Sequence, residues 1–199
     1  MTLPIILASG SKIRHALLKN AGVLLSTMPA RVDESAIRQA MQKDRAIPRD
    51  IADTLAESKA RKVSDRNPDA LVIGCDQVLD FKGNILEKAR DPKNALEILQ
   101  RLAGQQHCLY SAAVIYQGGR PQWRHIGKVK VSMRHTSAGY LQDYVDRNWE
   151  SIKFSVGCYH LEEEGARLIS SVEGDYFTVL GLPLIEVLHY LTKTGALPG

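Results

Sequence analysis

Residues 71–79 read Leu71-Val72-Ile73-Gly74-Cys75-Asp76-Gln77-Val78-Leu79, an apolar run broken by one carboxylate and then resumed. An apolar stretch of this length that follows a helical segment fits a strand buried on both faces of an α/β sheet. The helical segment is 50–66, where Ile51, Ala52, Leu55, Ala56, Ala60 and Val63 spread over one side and Asp50 is the expected N-cap. The strand is expected to end at Asp76. An unpaired charge there is costly to desolvate, so a cation, a metal or a ligand must stand beside it.

Upstream, residues 3–8 form a short strand. Ser9-Gly10-Ser11 follow, then a helix whose apolar positions Ala16, Leu17, Leu18 and Ala21 stop at Gly22. Downstream, Lys82-Gly83-Asn84 marks a hairpin turn between 78–81 and 85–87, and Asp91-Pro92 opens a helix that Gly104 closes. The β-runs 107–116 and 123–133, joined by 117–121, predict a second hairpin. A helix over about 137–148, strand-like stretches at 157–161 and 166–172, and a last helix 183–194 before Gly195 complete the pattern. Helix–strand alternation with hairpins predicts an α/β fold with a mixed sheet. No linker interrupts 1–199, which reads as a single domain.

The 199 residues carry 44% hydrophobic and 24% charged side chains without repeats or like-charge runs, which excludes disordered and fibrous classes. The net charge of +4 suits a small polyanion. The aromatic content of 6%, with basic residues scattered rather than interleaved with rings, argues against a nucleic-acid platform. Cys75, Cys108 and Cys158 are odd in number, far apart and set in apolar stretches, so they read as reduced core residues rather than a zinc or disulfide framework. With neither a signal-like amino terminus nor a membrane-spanning stretch, the expected location is cytoplasmic.

Lys59 falls near the middle of the apolar side of the 50–66 helix. Snorkelling past the helix edge and burial against an anion or Asp76 are both open readings. Leu17, Leu18 and Ala21 at i+3, i+4 and i+7 place Arg14 on the inward face of its helix, in the first turn, where free backbone N–H groups attract anions. With Ser9 and Ser11 it could hold a phosphate, or Ser11 could simply cap the helix. Glu34, Lys88 and Glu162 are unremarkable one at a time. The six histidines lack HExxH spacing, and Walker, GxGxxG and GxSxG patterns are missing, which leaves zincin and serine-hydrolase readings without support.

Taken in order, several segments resemble the Maf family of nucleoside triphosphate pyrophosphatases. Leu7-Ala8-Ser9-Gly10-Ser11-Lys12-Ile13-Arg14 matches the family's opening, Val32-Asp33-Glu34 its acidic loop, Glu57-Ser58-Lys59-Ala60 its ExKA helix, and Ile73-Gly74-Cys75-Asp76 its strand-end aspartate. Leu86-Glu87-Lys88, Ala103-Gly104 with Ser111, and Gly181-Leu182-Pro183-Leu184 match later steps. Lys12 and Ala89 stand where the family usually has proline, which relaxes the backbone without removing a charge.

The resemblance implies a long mixed sheet flanked by helices, with two lobes around a nucleotide cleft, as in the inosine-triphosphatase relatives. It implies cleavage between the α and β phosphates to a nucleoside monophosphate and pyrophosphate with Mg²⁺ or Mn²⁺. On that template Asp76 is the general base or a metal-linked carboxylate, and Glu34 helps to hold the metal. Ser9, Ser11, Arg14, Lys59 and Lys88 bind the triphosphate. Ile13, Gln77 and Glu162 stand where the dTTP/UTP branch has arginine, threonine and glutamine, so the chain looks like the 7-methyl-GTP branch. The competing expectations are a dTTP/UTP or broader pyrophosphatase, a non-catalytic nucleotide-binding regulator of cell division, and a nucleic-acid module, which nothing in the chain favours. The expected partner is a nucleoside triphosphate, with neither nucleic acid nor membrane, and a homodimer is left open.

Overall fold

A computed structural model describes residues 3–198. Seven strands form one mixed sheet: β1 (Ile5–Leu7), β2 (Leu25–Thr27), β3 (Leu71–Phe81), β4 (Asn84–Leu86), β5 (Gln106–Gln117), β6 (Arg120–Met133) and β7 (Ile169–Glu173). Their order is β2-β1-β3-β5-β6-β7, with β4 paired to β3 off that path. β1 is parallel to β2 and to β3, in register Ile5↔Leu25 and Ile5↔Leu71. β4 is antiparallel to β3, and β7 is antiparallel to β6 with an irregularity at Ser132/Met133. The helices are α1 (Lys12–Asn20), α2 (Glu34–Lys43), α3 (Pro48–Ser64), α4 (Pro92–Leu102), α5 (Ala138–Ile152), α6 (Tyr176–Val179) and α7 (Leu184–Lys193). The expected α/β class with a mixed sheet is therefore the observed one.

The chain divides into two compact units. Among the described residues, the first contains 3–77, 111–127 and 175–198, and the second contains 78–110 and 128–174. In the first unit, strand alternation sends side chains to two opposite faces. Ile5, Leu7, Leu71, Ile73 and Cys75 pack with Leu18 of α1 and with Leu184, Val187 and Leu191 of α7. Ile6, Ala8, Ala70 and Val72 pack with Val63 of α3. Asp76 shares its parity with Val72 and so belongs to the α3 face, whereas Gln77 shares the face of Cys75. Gly74 brings α3 close: a Cβ there would collide with the Ala56 carbonyl and would lie 2.6 Å from the Ala60 nitrogen. In the second unit α4 packs against α5, and His107 Nε2 pairs with the Tyr159 hydroxyl at 2.8 Å inside the core.

Five expectations change. β3 does not stop at Asp76 but runs on to Phe81, because Val78, Leu79 and Phe81 are buried and β4 pairs with that end. The N-cap of α3 is Ile47 with Pro48 at the first helical position, so Asp50 sits inside the first turn, where its charge suits the helix dipole. Residues 157–161 are not a strand. Gly157 (φ 79°) and Cys158 (φ 58°) are both left-handed, which takes the backbone out of the extended conformation a strand needs. The 166–172 stretch becomes β7 only from Ile169, after a 3₁₀ turn at Glu164–Leu168. The 117–121 loop shortens to Gly118-Gly119, both at positive φ, as a two-residue turn between neighbouring strands requires.

Candidate active site

The site in the first unit starts from the parity of β3. Asp76 points to the α3 face, and Gly74 lets α3 approach until Lys59, one turn beyond Leu55 and Ala56, reaches it. Lys59 Nζ donates to Asp76 Oδ1 at 2.5 Å, with Lys59 8% and Asp76 5% exposed. The same ammonium lies 2.7 Å from Glu34 Oε1, so one cation bridges two carboxylates. Lys59 is buried against anions rather than snorkelled, which resolves the choice its sequence position left open. Glu34 is not in a loop. It is the first residue of α2, capped by Asp33, whose Oδ1 accepts from the Ala36 N–H at 2.9 Å. Asp76 Oδ2 is buried and has no hydrogen-bond partner among the described residues.

The Ser9–Arg14 segment forms a compact loop at the end of β1. Ser11 caps α1 through the Arg14 N–H at 3.4 Å, and Ser9 Oγ accepts from the Ser11 N–H at 3.2 Å and from Arg14 Nη1 at 3.4 Å. The Arg14 guanidinium is held by main chain: Nη1 donates to the Cys75 carbonyl at 3.0 Å and Nε to the Gly181 carbonyl at 2.7 Å. Arg14 thus ties the loop to the residue beside Asp76 and to the start of the α7 segment. Burial pushes the Cys75 thiol up to about 11 against the pull of Arg14 and Lys59, so it stays protonated and inert.

Gln77 lies on the opposite face and touches α6. Its Nε2 donates to Ser111 Oγ at 3.0 Å, to the Val179 carbonyl at 3.0 Å and to the Thr178 carbonyl at 3.2 Å. Ser111 Oγ in turn donates to the Thr178 carbonyl at 2.7 Å. Ile13, on α1, is partly buried next to Arg14. The structure therefore brings Ser9, Ser11, Ile13, Arg14, Glu34, Lys59, Asp76 and Gln77 into one unit. Lys88 and Glu162 belong to the second unit.

There, Lys88 lines a cavity of about 260 Å³ with Ile85, Leu86, Glu87, Arg90 and Arg101. His160 Nδ1 lies 3.3 Å from Glu162 Oε1. Burial opposes ionisation of Glu162, but the hydrogen bonds from His160 and from its own backbone outweigh it and hold the carboxyl below the usual range. The same contact raises His160. Glu162 is an ionised acceptor at neutral pH.

The Thr178 and Val179 carbonyls escaped sequence reading, and Ser111 and Gly181 entered it only as matches to later steps of the family. Gly181 stands at φ 93°, a left-handed conformation before Leu-Pro that favours glycine. Among the described residues no group of three or more His, Cys, Asp or Glu side chains is placed to hold a metal ion. Glu34 and Asp76, the latter with a buried oxygen that has no partner among the described residues, are the oxygen donors that would hold a hard divalent cation, which would supply charge neutralisation there.

An α/β sheet with a parallel β2-β1-β3 core thus carries a lysine-bridged carboxylate pair beside a Ser/Arg loop at a helix N-terminus. The chain belongs to the Maf-like protein family, whose model matches residues 4–194. It is 57% identical over 198 residues, the full length of both chains, to a protein of Roseobacter denitrificans named nucleoside triphosphate pyrophosphatase. A Ruegeria pomeroyi protein of the same name is 54% identical over 99% of each chain. A Brucella abortus protein named 7-methyl-GTP pyrophosphatase is 41% identical over the full length of both. Among the described residues, no helix is long and apolar enough to cross a membrane.

Proposed function

We propose that this chain is a nucleoside triphosphate pyrophosphatase, with 7-methyl-GTP as its preferred substrate. The observation that carries the reading is Asp76: a buried carboxylate fixed through Oδ1 by Lys59, with Oδ2 left without a partner among the described residues. Buried acceptors are seldom left unsatisfied. An Oδ2 held in this way is oriented to accept a proton from a water molecule. That water's oxygen bonds to the α-phosphorus, the bond to the α–β bridging oxygen breaks, and the bridging oxygen leaves with pyrophosphate. Lys59, Lys88 and the Ser9–Arg14 loop offset the phosphate charge. Mg²⁺ or Mn²⁺ on Glu34 and Asp76 would supply further charge neutralisation.

Base choice is assigned to the second unit's Glu162. Its carboxylate is ionised, and guanine offers N1–H and the exocyclic amine as adjacent donors, while N7 methylation adds a positive charge that an anion favours. The relative named 7-methyl-GTP pyrophosphatase supports this choice. A nucleotide panel with Mn²⁺ tests it: 7-methyl-GTP hydrolysed no faster than GTP, UTP or dTTP would remove the base assignment. Asp76→Asn tests the chemistry, with pyrophosphate release lost and much of the nucleotide affinity kept. Undiminished release would remove Asp76 from its role.

A further inference from the structure

Ile13, Gln77 and Glu162, the residues singled out for the base, include no ring that could stack on it. Gln77, moreover, spends its Nε2 on the carbonyls of Thr178 and Val179 and on Ser111. Its amide holds α6 instead of offering those donors to a ligand. Ser111, fully buried, adds its own hydrogen bond to the Thr178 carbonyl, and Arg14 holds the Gly181 carbonyl a few residues on. The Asp175 carboxylate caps the same turn at the Thr178 N–H, at 2.6 Å. Gly127 lets it sit close to β6, since a Cβ there would be 2.6 Å from Thr178 Oγ1. A four-residue helix cannot hold itself by its own backbone bonds. This one is fixed from outside, by Gln77 next to Asp76 and by Ser111 of β5.

What α6 presents is Tyr176. It is 46% exposed, and its ring meets Phe177 edge-on at 5.8 Å and 69°. Phe177 packs against the core shared by α1 and α7 and so fixes the tyrosine from behind. Trp123 and Tyr190 of the same unit are stacked on each other at 5.4 Å. Phe154, the other large exposed aromatic residue among those described, is in the second unit and carries Lys153 over its ring.

We infer that Tyr176 is the platform on which the nucleobase stacks, and that Gln77 and Ser111 influence base choice at one remove, by clamping the short helix that carries it. The inference rests on the proposed nucleotide reading and names the base-contacting residue of that site. A cationic 7-methylguanine gains more from an electron-rich phenol ring than a neutral base does, which gives the platform a preference as well as an affinity.

Calorimetry with a non-hydrolysable α,β-methylene analogue of 7-methyl-GTP tests it. Tyr176→Ala and Tyr176→Leu are each expected to weaken binding roughly tenfold, the scale of one base–aromatic stack, while Tyr176→Trp restores it. Ser111→Ala is expected to weaken binding less, and to add nothing when combined with Tyr176→Ala. Equal affinity in wild type and Tyr176→Ala would overturn the platform with the proposed function intact. Additive losses in the double variant would overturn the clamp. A wild type that binds the analogue but turns over no triphosphate would refute the proposed function alone, and the affinity comparison would still decide Tyr176. A wild type that does not bind would overturn both.

Discussion

Lys59→Met makes the sharpest test of how the site is held together. The substitution keeps most of the stem's packing and removes the ammonium between Asp76 Oδ1 (2.5 Å) and Glu34 Oε1 (2.7 Å). The two ion pairs are unequal. The Glu34 side chain is 41% exposed, so its pair contributes at most about 1 kcal/mol. The Asp76 side chain is 7% exposed, and removing one partner of a buried pair costs about 3–5 kcal/mol, because a charge is left uncompensated. The expected loss is about 4 kcal/mol, or a Tm lower by roughly 8–16 °C for a chain of this size. The double variant Lys59→Met/Asp76→Leu removes both charges and should recover the loss to within about 1 kcal/mol of wild type. Urea unfolding followed by far-UV circular dichroism measures all three proteins. A single variant that loses under about 1 kcal/mol, or a double variant no better than the single, would refute the assignment of the stabilisation to Asp76.

Gly74→Ala should destabilise the protein and cut turnover together, since the new methyl would drive α3, and Lys59 with it, away from β3; wild-type stability and kcat would contradict this. His107 is 2% exposed, and burial lowers it from 6.5 to about 4. Its proton is therefore taken up more readily by the unfolded chain. The stability that follows from keeping it neutral is complete above about pH 6.5, falls by about 3 kcal/mol as pH drops to about 4, and is flat below. The urea midpoint of His107→Gln should lack this slope, and an identical slope would exclude His107 as its source. Cys75 and Cys158, both buried with thiols pushed up to about 11 and about 12, should resist alkylation at pH 8 in the native protein and react only on unfolding; fast native labelling of either would contradict the packing.

The apolar periodicity of the 50–66 segment exposed Lys59 as misplaced before any coordinates, and the carboxylate inside 71–79 supplied its partner. Those two signals are local and strong, and they carried most of the site. What was illegible had weak patterns. α2 buries no residue fully, its apolar positions being only Ala36, Ile37, Ala40 and Met41, and β2 is three residues with a half-exposed leucine. α6 has four residues and owes its shape to bonds from Gln77 and Ser111, a long-range cause that no window of sequence contains. Residues 157–161 looked like a strand by composition, yet consecutive left-handed residues at Gly157 and Cys158 broke it. A charge inside an apolar run reads as a strand end, but the pleat only turns Asp76 toward Lys59.

The interleaved segments of the first unit bear on how the protein is made. Its inner layer joins Ile5, Leu7 and Ile73 to Ala113 and Ile115, and then to Leu182, Leu184, Val187 and Leu191. A nascent chain leaving the ribosome therefore carries the front of that layer uncovered until residues near 191 have been synthesised, while 78–110 and 128–174 emerge in between. Translation pauses late in the message, or the loss of α7, should expose the parallel strands to chaperones and proteases. The Asp76 strand would then be among the first made and among the last to be sheltered.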